Sequence, residues 1–118
     1  GTKQWSRFHG GTGSDVATGM AVDTSGNVYI TGNTNADLDG QTNAGGHDLF
    51  VMKYDSSGTR LWTQMLGTAS GEYGRSVAVD GSGNSFLTGF TSGNLDGATN
   101  NGSNDAYIVK YDTNGTLQ

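Results

Sequence analysis

The feature that most constrains this chain is an internal repeat of 57 residues that runs without a gap. Ala21-Val22-Asp23 recurs as Ala78-Val79-Asp80, and Ser25-Gly26-Asn27 as Ser82-Gly83-Asn84. Thr31-Gly32 recurs as Thr88-Gly89, Leu38-Asp39-Gly40 as Leu95-Asp96-Gly97, and Lys53-Tyr54-Asp55 as Lys110-Tyr111-Asp112. Gly1-Thr2 with Trp5 returns as Gly58-Thr59 with Trp62. Of the 57 aligned positions, 23 are identical. Self-similarity at such a period marks one supersecondary unit that buries its apolar surface by stacking on copies of itself. The 118 residues hold two periods, and Gly115 to Gln118 restart the pattern that Gly1 to Gln4 began.

Turn chemistry sets the rhythm within a period. Asp23–Asn27, Asp55–Thr59, Asp80–Asn84 and Asp112–Thr116 share the form Asp-x-x-Gly-x. The Asp carboxylate can accept bonds from the amides that follow, and Gly supplies a left-handed position. This suits a tight hairpin with a bulge. The short apolar stretches between the turns predict four strands per repeat, here a to d. The first copy gives Ala17–Val22, Val28–Asn33, Asp48–Tyr54 and Arg60–Leu66. The second gives Arg75–Val79, Ser85–Thr91 and Asp105–Tyr111, and its d strand would begin at 117. Lys3–His9 reads as a d strand without its a, b and c. Strands such as Leu49-Phe-Val-Met-Lys-Tyr54 carry bulk on both faces, so each sheet must be covered on both faces. No helical segment is there to do it, and radial stacking of like sheets does. The expected fold is an all-β propeller of four-stranded antiparallel blades, two per chain. Small residues in strand a suit a crowded axis, and Trp62 and Met65 in strand d suit a wide rim.

The phase of the repeat divides the chain into residues 1–9 (a lone d strand), 10–66 (a complete first blade) and 67–118 (a second blade lacking its outer strand). Two blades cannot close a ring and would expose apolar sheet faces. The expectation is therefore homo-oligomeric closure: Trp5 and Phe8 of one copy complete the blade that ends in Tyr107, Val109 and Tyr111 of another. A homotrimer gives six blades and a homotetramer eight.

Several of these strings resemble the SBBP-type β-propeller repeat: Asp23-x-Ser-Gly-Asn-Val-Tyr-Ile-Thr-Gly32, Asp48-Leu-Phe-Val-Met-Lys-Tyr-Asp55, Gly58-Thr-Arg-Leu-Trp62 and Gly10-Gly-Thr-Gly-Ser-Asp15. The resemblance covers the chain twice. It implies a module of a bacterial secreted or cell-surface repeat protein, or a piece engineered from one, with no shared catalytic residues. An extracellular or surface location is the matching expectation.

Composition narrows the function classes. Cysteine and proline are absent, so neither a disulfide framework nor a Cys-based zinc site is available. A net charge of −5 argues against a partner held through nucleic-acid phosphates. No apolar run is long enough to span a membrane as a helix. His9 aligns with Leu66 and His47 with Asn104, so neither histidine belongs to a site built into the repeat. Asp15 and Glu72 align just before strand a; they read as turn caps or partners of Arg75 rather than paired acids for acid–base work. No serine has an evident base, and the chain is not expected to be an enzyme.

The loop between strands b and c is the one candidate ligand site. Leu38–Asp48 matches Leu95–Asp105 at 7 of 11 positions, although loops usually drift faster than the elements they join. Asn35, Asp37 and Asp39 alternate before Gly40, like the first half of a calcium loop, and Asn94 and Asp96 repeat part of the pattern. Asp48 and Asp105 would complete a site only if the loop folds back. No cofactor is required on this reading; Ca2+ or a glycan is the alternative ligand. The plainer reading is that Asp39, Thr42 and Asn43 bond their own backbone and stiffen a long loop.

Overall fold

The computed structural model describes residues 1–118 and contains seven strands and no helix. They are β1 (Asp15–Val22), β2 (Val28–Thr34), β3 (Asp48–Tyr54), β4 (Arg60–Leu66), β5 (Glu72–Val79), β6 (Ser85–Thr91) and β7 (Asp105–Tyr111). β1 to β4 form one antiparallel sheet in sequence order, and β5 to β7 form a second. These are the expected blade abcd and the expected open blade abc.

Four of the seven strands have the bounds expected from sequence; β1, β2 and β5 run longer. β1 and β5 start earlier because each carries a bulge, at Thr18 and Arg75, where the register with β2 and β6 slips by one residue. Pairing resumes beyond it, as Asp15 with Thr34 and Glu72 with Thr91. A bulge interrupts the period-two pattern, so alternation alone underestimates such a strand.

All four Asp-x-x-Gly-x turns fold alike. The Oδ1 atoms of Asp23, Asp55, Asp80 and Asp112 each accept two backbone N–H bonds at 2.8–2.9 Å, from the residues two and four further on. The glycines take φ of +80° to +83°. These turns fix the register of the a–b pair of each blade and of β3 with β4. The fourth points the chain back along β7: Leu117 bridges Tyr111, and the Gln118 N–H donates to Lys110 O at 2.9 Å.

The two sheets pack face to face, closest at their inner strands. A Cβ on Gly19 would lie 3.0 Å from Ser76 Cα and 3.1 Å from Arg75 O, so backbone meets backbone there. Thr18 Oγ1 donates across the junction to Gly74 O at 2.7 Å. At the outer end the gap is filled by Trp62, whose Nε1 donates to Thr113 O at 3.1 Å. Small residues inside and a Trp outside make the junction a wedge, as the expected axis and rim require. Between the sheets, Tyr29, Leu49 and Val51 pack with Val77, Leu87, Val109 and Tyr111. A second cluster, Leu38, Phe50, Met52 and Tyr54, lies on the far face of the first blade.

Candidate assembly interface

The N-terminal segment lies over part of the far face of the first blade, with Trp5, Arg7 and His9 beside Ile30, Phe50, Met52 and Tyr54. Lys3–His9 forms no strand, because an outer strand needs a c strand beside it and this chain offers none within reach. Its placement is nonetheless that of an outer strand. Trp5 Nε1 donates to Ser56 O at 3.1 Å, and Trp62 Nε1 donates to Thr113 O at 3.1 Å. Each pair spans 51 residues, and the two are related by the repeat offset. A Cβ on Gly58 would meet the Trp5 ring at 2.8 Å, and one on Gly115 the Trp62 ring at 2.9 Å. The segment thus repeats, against the first blade, the seat that β4 takes against the second. Arg7 adds a 2.7 Å bond from Nε to Gly58 O.

Beyond this seat, apolar side chains stay exposed on both outer faces of the blade pair. Phe8 is fully exposed. On the side toward the N-terminal segment, Met20 and Val22 of β1 are 64% and 55% exposed. On the opposite side, Ile108 of β7 is 69% exposed. Along the outer edge of β7 runs a groove of about 570 Å³, lined in part by Thr91, Leu95, Asp96, Tyr107 and Val109. In the first blade the equivalent place is filled by β4. Of the closure residues expected from sequence, Trp5 is docked, Phe8 is free, Tyr107 and Val109 line the groove, and Tyr111 is buried in the core cluster between the sheets. Burial pushes the Tyr111 hydroxyl up to about 12 and raises that of Tyr107 further, so both stay neutral. Sequence reasoning missed Met20, Ile108 and Lys110, although shifting by 57 residues locates the counterpart of each in the internal junction.

The b–c loop residues do not converge. Asn35 Oδ1 accepts the Ser14 N–H at 2.8 Å. Asp37 Oδ1 accepts the Asn43 N–H at 2.8 Å, and Asn94 repeats this with Asn100. Asp48 and Asp105 accept the N–H groups of Ala44 and Asn101 at 2.8 and 2.6 Å. Asp39 takes a different role. Held at φ +54°, it accepts the Thr63 hydroxyl, pairs with Arg60 and meets His9 Nε2 at 2.7 Å. Burial works to raise its carboxyl, but Thr63, His9 and Arg60 outweigh it and hold it below the usual range. Asp96 has the same backbone, φ +49°, and none of these partners. No three acidic or histidine side chains are grouped as a metal site would need. Asn43 does bond loop backbone, through Thr34 O and the Gly45 N–H, whereas Asp39 clamps the outer strand.

The remaining acids and histidines have structural partners. Glu72 is fully buried and accepts bonds from Thr68 N, Thr68 Oγ1 and Thr91 Oγ1. Asp15 accepts the Gly11 N–H. Both cap the segment entering strand a; Arg75, expected as a partner, lies over the Phe90 ring instead. His47 stacks on Tyr73 at 5.1 Å. The Asp48 carboxyl is buried with Oδ1 unpaired, and burial, with the Glu72 charge adding to it, raises its pKa.

Stacked repeats of this geometry define a β-propeller module. The SBBP β-propeller repeat model matches residues 4–39 and 61–96, together more than half of the chain. The chain belongs to that family. A curated relative, the regulatory protein FlaEY of Caulobacter vibrioides, is 32% identical over an alignment 89 positions long that covers 70% of this chain. The matched stretch is 9% of the relative's length.

Proposed function

We propose that this chain is a structural and interaction module that assembles with copies of itself into a closed β-propeller ring, of three chains and six blades or four chains and eight. The observation that carries the reading is the seat of Trp5 on Ser56 and Gly58, which duplicates the internal junction of Trp62 with Thr113 and Gly115. The exposed ends also match. At the internal junction Val51 packs in one cluster with Val77, Leu87 and Val109. Shifted by one repeat, these positions are Ile108 of one copy and Met20, Ile30 and Met52 of the next. Ile108 and Met20, the two most exposed aliphatic side chains, would thus cover each other. Closed symmetry lets every copy use both surfaces.

The expected setting is a bacterial secreted or surface protein, where the ring serves as a scaffold for contacts with other molecules. The similarity to a short stretch of a much longer regulatory protein is consistent with such a module. Ca2+ or glycan binding by the b–c loops is the second reading. It is disfavoured because Asn35, Asp37 and Asp39 point to three different partners.

Native mass spectrometry of the 118-residue chain, with and without a calcium chelator, tests the proposal. A single species of three or four chains, unchanged by the chelator, is the expected result. A folded monomer at micromolar concentration would overturn it.

A further inference from the structure

Resting on the ring reading, the geometry points to a specific joint between copies: the outer strand of each second blade is shared between two chains. Its first two places are taken by Leu117 and Gln118 of the same chain, and the next five by Trp5–His9 of the partner subunit. Lys110 closes the joint by reaching Ser56 of the partner subunit.

Three observations carry this. First, Leu117 and Gln118 already begin the strand. Leu117 bridges Tyr111 as Arg60 pairs with Tyr54, and Gln118 N bonds Lys110 O. Lys3 and Gln4 are the repeat equivalents of Leu117 and Gln118, so they cannot occupy the same places and stay outside the joint. They are exposed in the structure, and the docked part of the segment starts at Trp5.

Second, the register is fixed by β3 and β4. Lys53 pairs with Trp62, Val51 with Gln64 and Phe50 with Met65. One repeat later this sets Lys110 opposite Trp5 of the partner subunit, Ile108 opposite Arg7 of the partner subunit and Tyr107 opposite Phe8 of the partner subunit. Met65 packs on the cluster of Leu38, Phe50 and Met52. Phe8 of the partner subunit then enters the β7 groove against Leu95, Tyr107 and Val109, burying a side chain that is wholly exposed in one chain.

Third, the polar clasp of the internal junction is half built in each chain. Thr113 O accepts both Trp62 Nε1 and Lys53 Nζ, the latter at 3.0 Å, and Thr113 Oγ1 takes a further Lys53 bond at 2.9 Å. Lys53 is buried there. In the same chain Ser56 O already accepts Trp5 Nε1. Ser56 offers a hydroxyl where Thr113 does, and the missing donor is the equivalent lysine, Lys110. Lys110 is exposed and has no acceptor in its own chain. Likewise Ser6 of the partner subunit brings a hydroxyl to Asp96, as Thr63 does to Asp39.

The chain has no cysteine, so introduced pairs report alone. Two double variants, Phe8→Cys with Tyr107→Cys and Arg7→Cys with Ile108→Cys, place thiols in the inferred register. Phe8→Cys with Ile108→Cys is the control one residue out, where neighbouring side chains point to opposite faces. After mild oxidation at least one in-register variant should run, unreduced, as a covalent ring of the native size, and the control should not. Lys110→Met should raise the concentration at which the ring half-dissociates about tenfold or more and leave the melting of the dissociated chain unchanged. Removing Gly1–Gln4 should leave the ring intact. A ring that cross-links only in the control register, or that is lost on removing Gly1–Gln4, overturns the shared strand while sparing the ring itself. A Lys110→Met ring as tight as the parent overturns the clasp. A monomeric parent overturns both readings.

Discussion

β3 and β7 hold the same place in the two repeats and carry the similar sequences Asp-Leu-Phe-Val-Met-Lys-Tyr and Asp-Ala-Tyr-Ile-Val-Lys-Tyr. All seven residues of β3 are buried, whereas only Val109 and Tyr111 of β7 are. Val51 is 0% exposed and its counterpart Ile108 is 69% exposed. The side chains themselves do not account for this. β3 has β4 on its outer edge, the second blade on one face and the N-terminal segment on the other; β7 lacks the first and has a blade on one face only. In a stacked repeat fold, burial belongs to the place in the array more than to the strand.

The largest test of that comparison is truncation in the core. Leu49→Ala should destabilise the dissociated chain by about 2–5 kcal/mol in denaturant unfolding, since it empties a fully packed site between blades. Ile108→Ala should cost less than about 0.5 kcal/mol in the dissociated chain, as for other exposed positions. In the ring its cost should climb toward that of a buried aliphatic. Equal costs for Ile108→Ala in the two states would break the comparison and the ring reading with it.

A smaller effect separates Asp39 from Asp96. Both sit in the left-handed region, which Asn tolerates, so Asn substitution leaves backbone strain aside. Asp39→Asn weakens the clamp on Thr63, Arg60 and His9 and should cost roughly 1.5–3 kcal/mol, the range for hydrogen bonds to a charged group. Asp96→Asn should be nearly neutral in the dissociated chain. Urea midpoints of the two variants, read side by side, check this; a matched loss at both positions would mean the clamp contributes nothing.

The fold was legible because its signals are local and doubled. The Asp-x-x-Gly-x turns and the two-faced strands need only a few neighbouring residues each, and the repeat offset gives each a twin. The bulges at Thr18 and Arg75 were not legible, since they break the alternation used to find strands. In the b–c loop, the Asn35 and Asp39 side chains are placed by contacts that lie outside the loop. Alternating Asn35, Asp37 and Asp39 suggest convergence only if the backbone coils around an ion. Here it turns left-handed at Asp39 and sends that carboxylate to β4. Which side chain a loop Asp meets is decided by the neighbouring strand, and that is tertiary information. Lys110 shows the converse. Its exposure gives no hint of a role, yet its repeat twin Lys53 is buried with two bonds to Thr113.

The smallest effects lie in the pH dependence, where Asp48 at the blade junction stands apart from the turn aspartates. Bonds from the Ser57 hydroxyl to Asp55, from the Asn84 side chain to Asp80 and from the Thr116 N–H to Asp112 hold these carboxyls below 3.8. At Asp23 burial opposes the shift, but the Asn27 bonds prevail. Groups depressed in the folded chain stabilise it above their unfolded pKa, and that contribution is lost as pH falls through their folded values. Acid unfolding should therefore set in below about pH 3.8. Asp48 has the opposite sign. Burial, with Glu72 nearby, raises its pKa, so its favourable contribution is complete only at low pH and disappears as pH rises through the folded value. Asp48→Asn keeps an acceptor for the Ala44 N–H and removes a buried charge whose Oδ1 is unpaired. It should raise the melting temperature at pH 7 and change it little at pH 4. A loss of stability at pH 7 in Asp48→Asn would mean that the ionised carboxylate is needed at the blade junction.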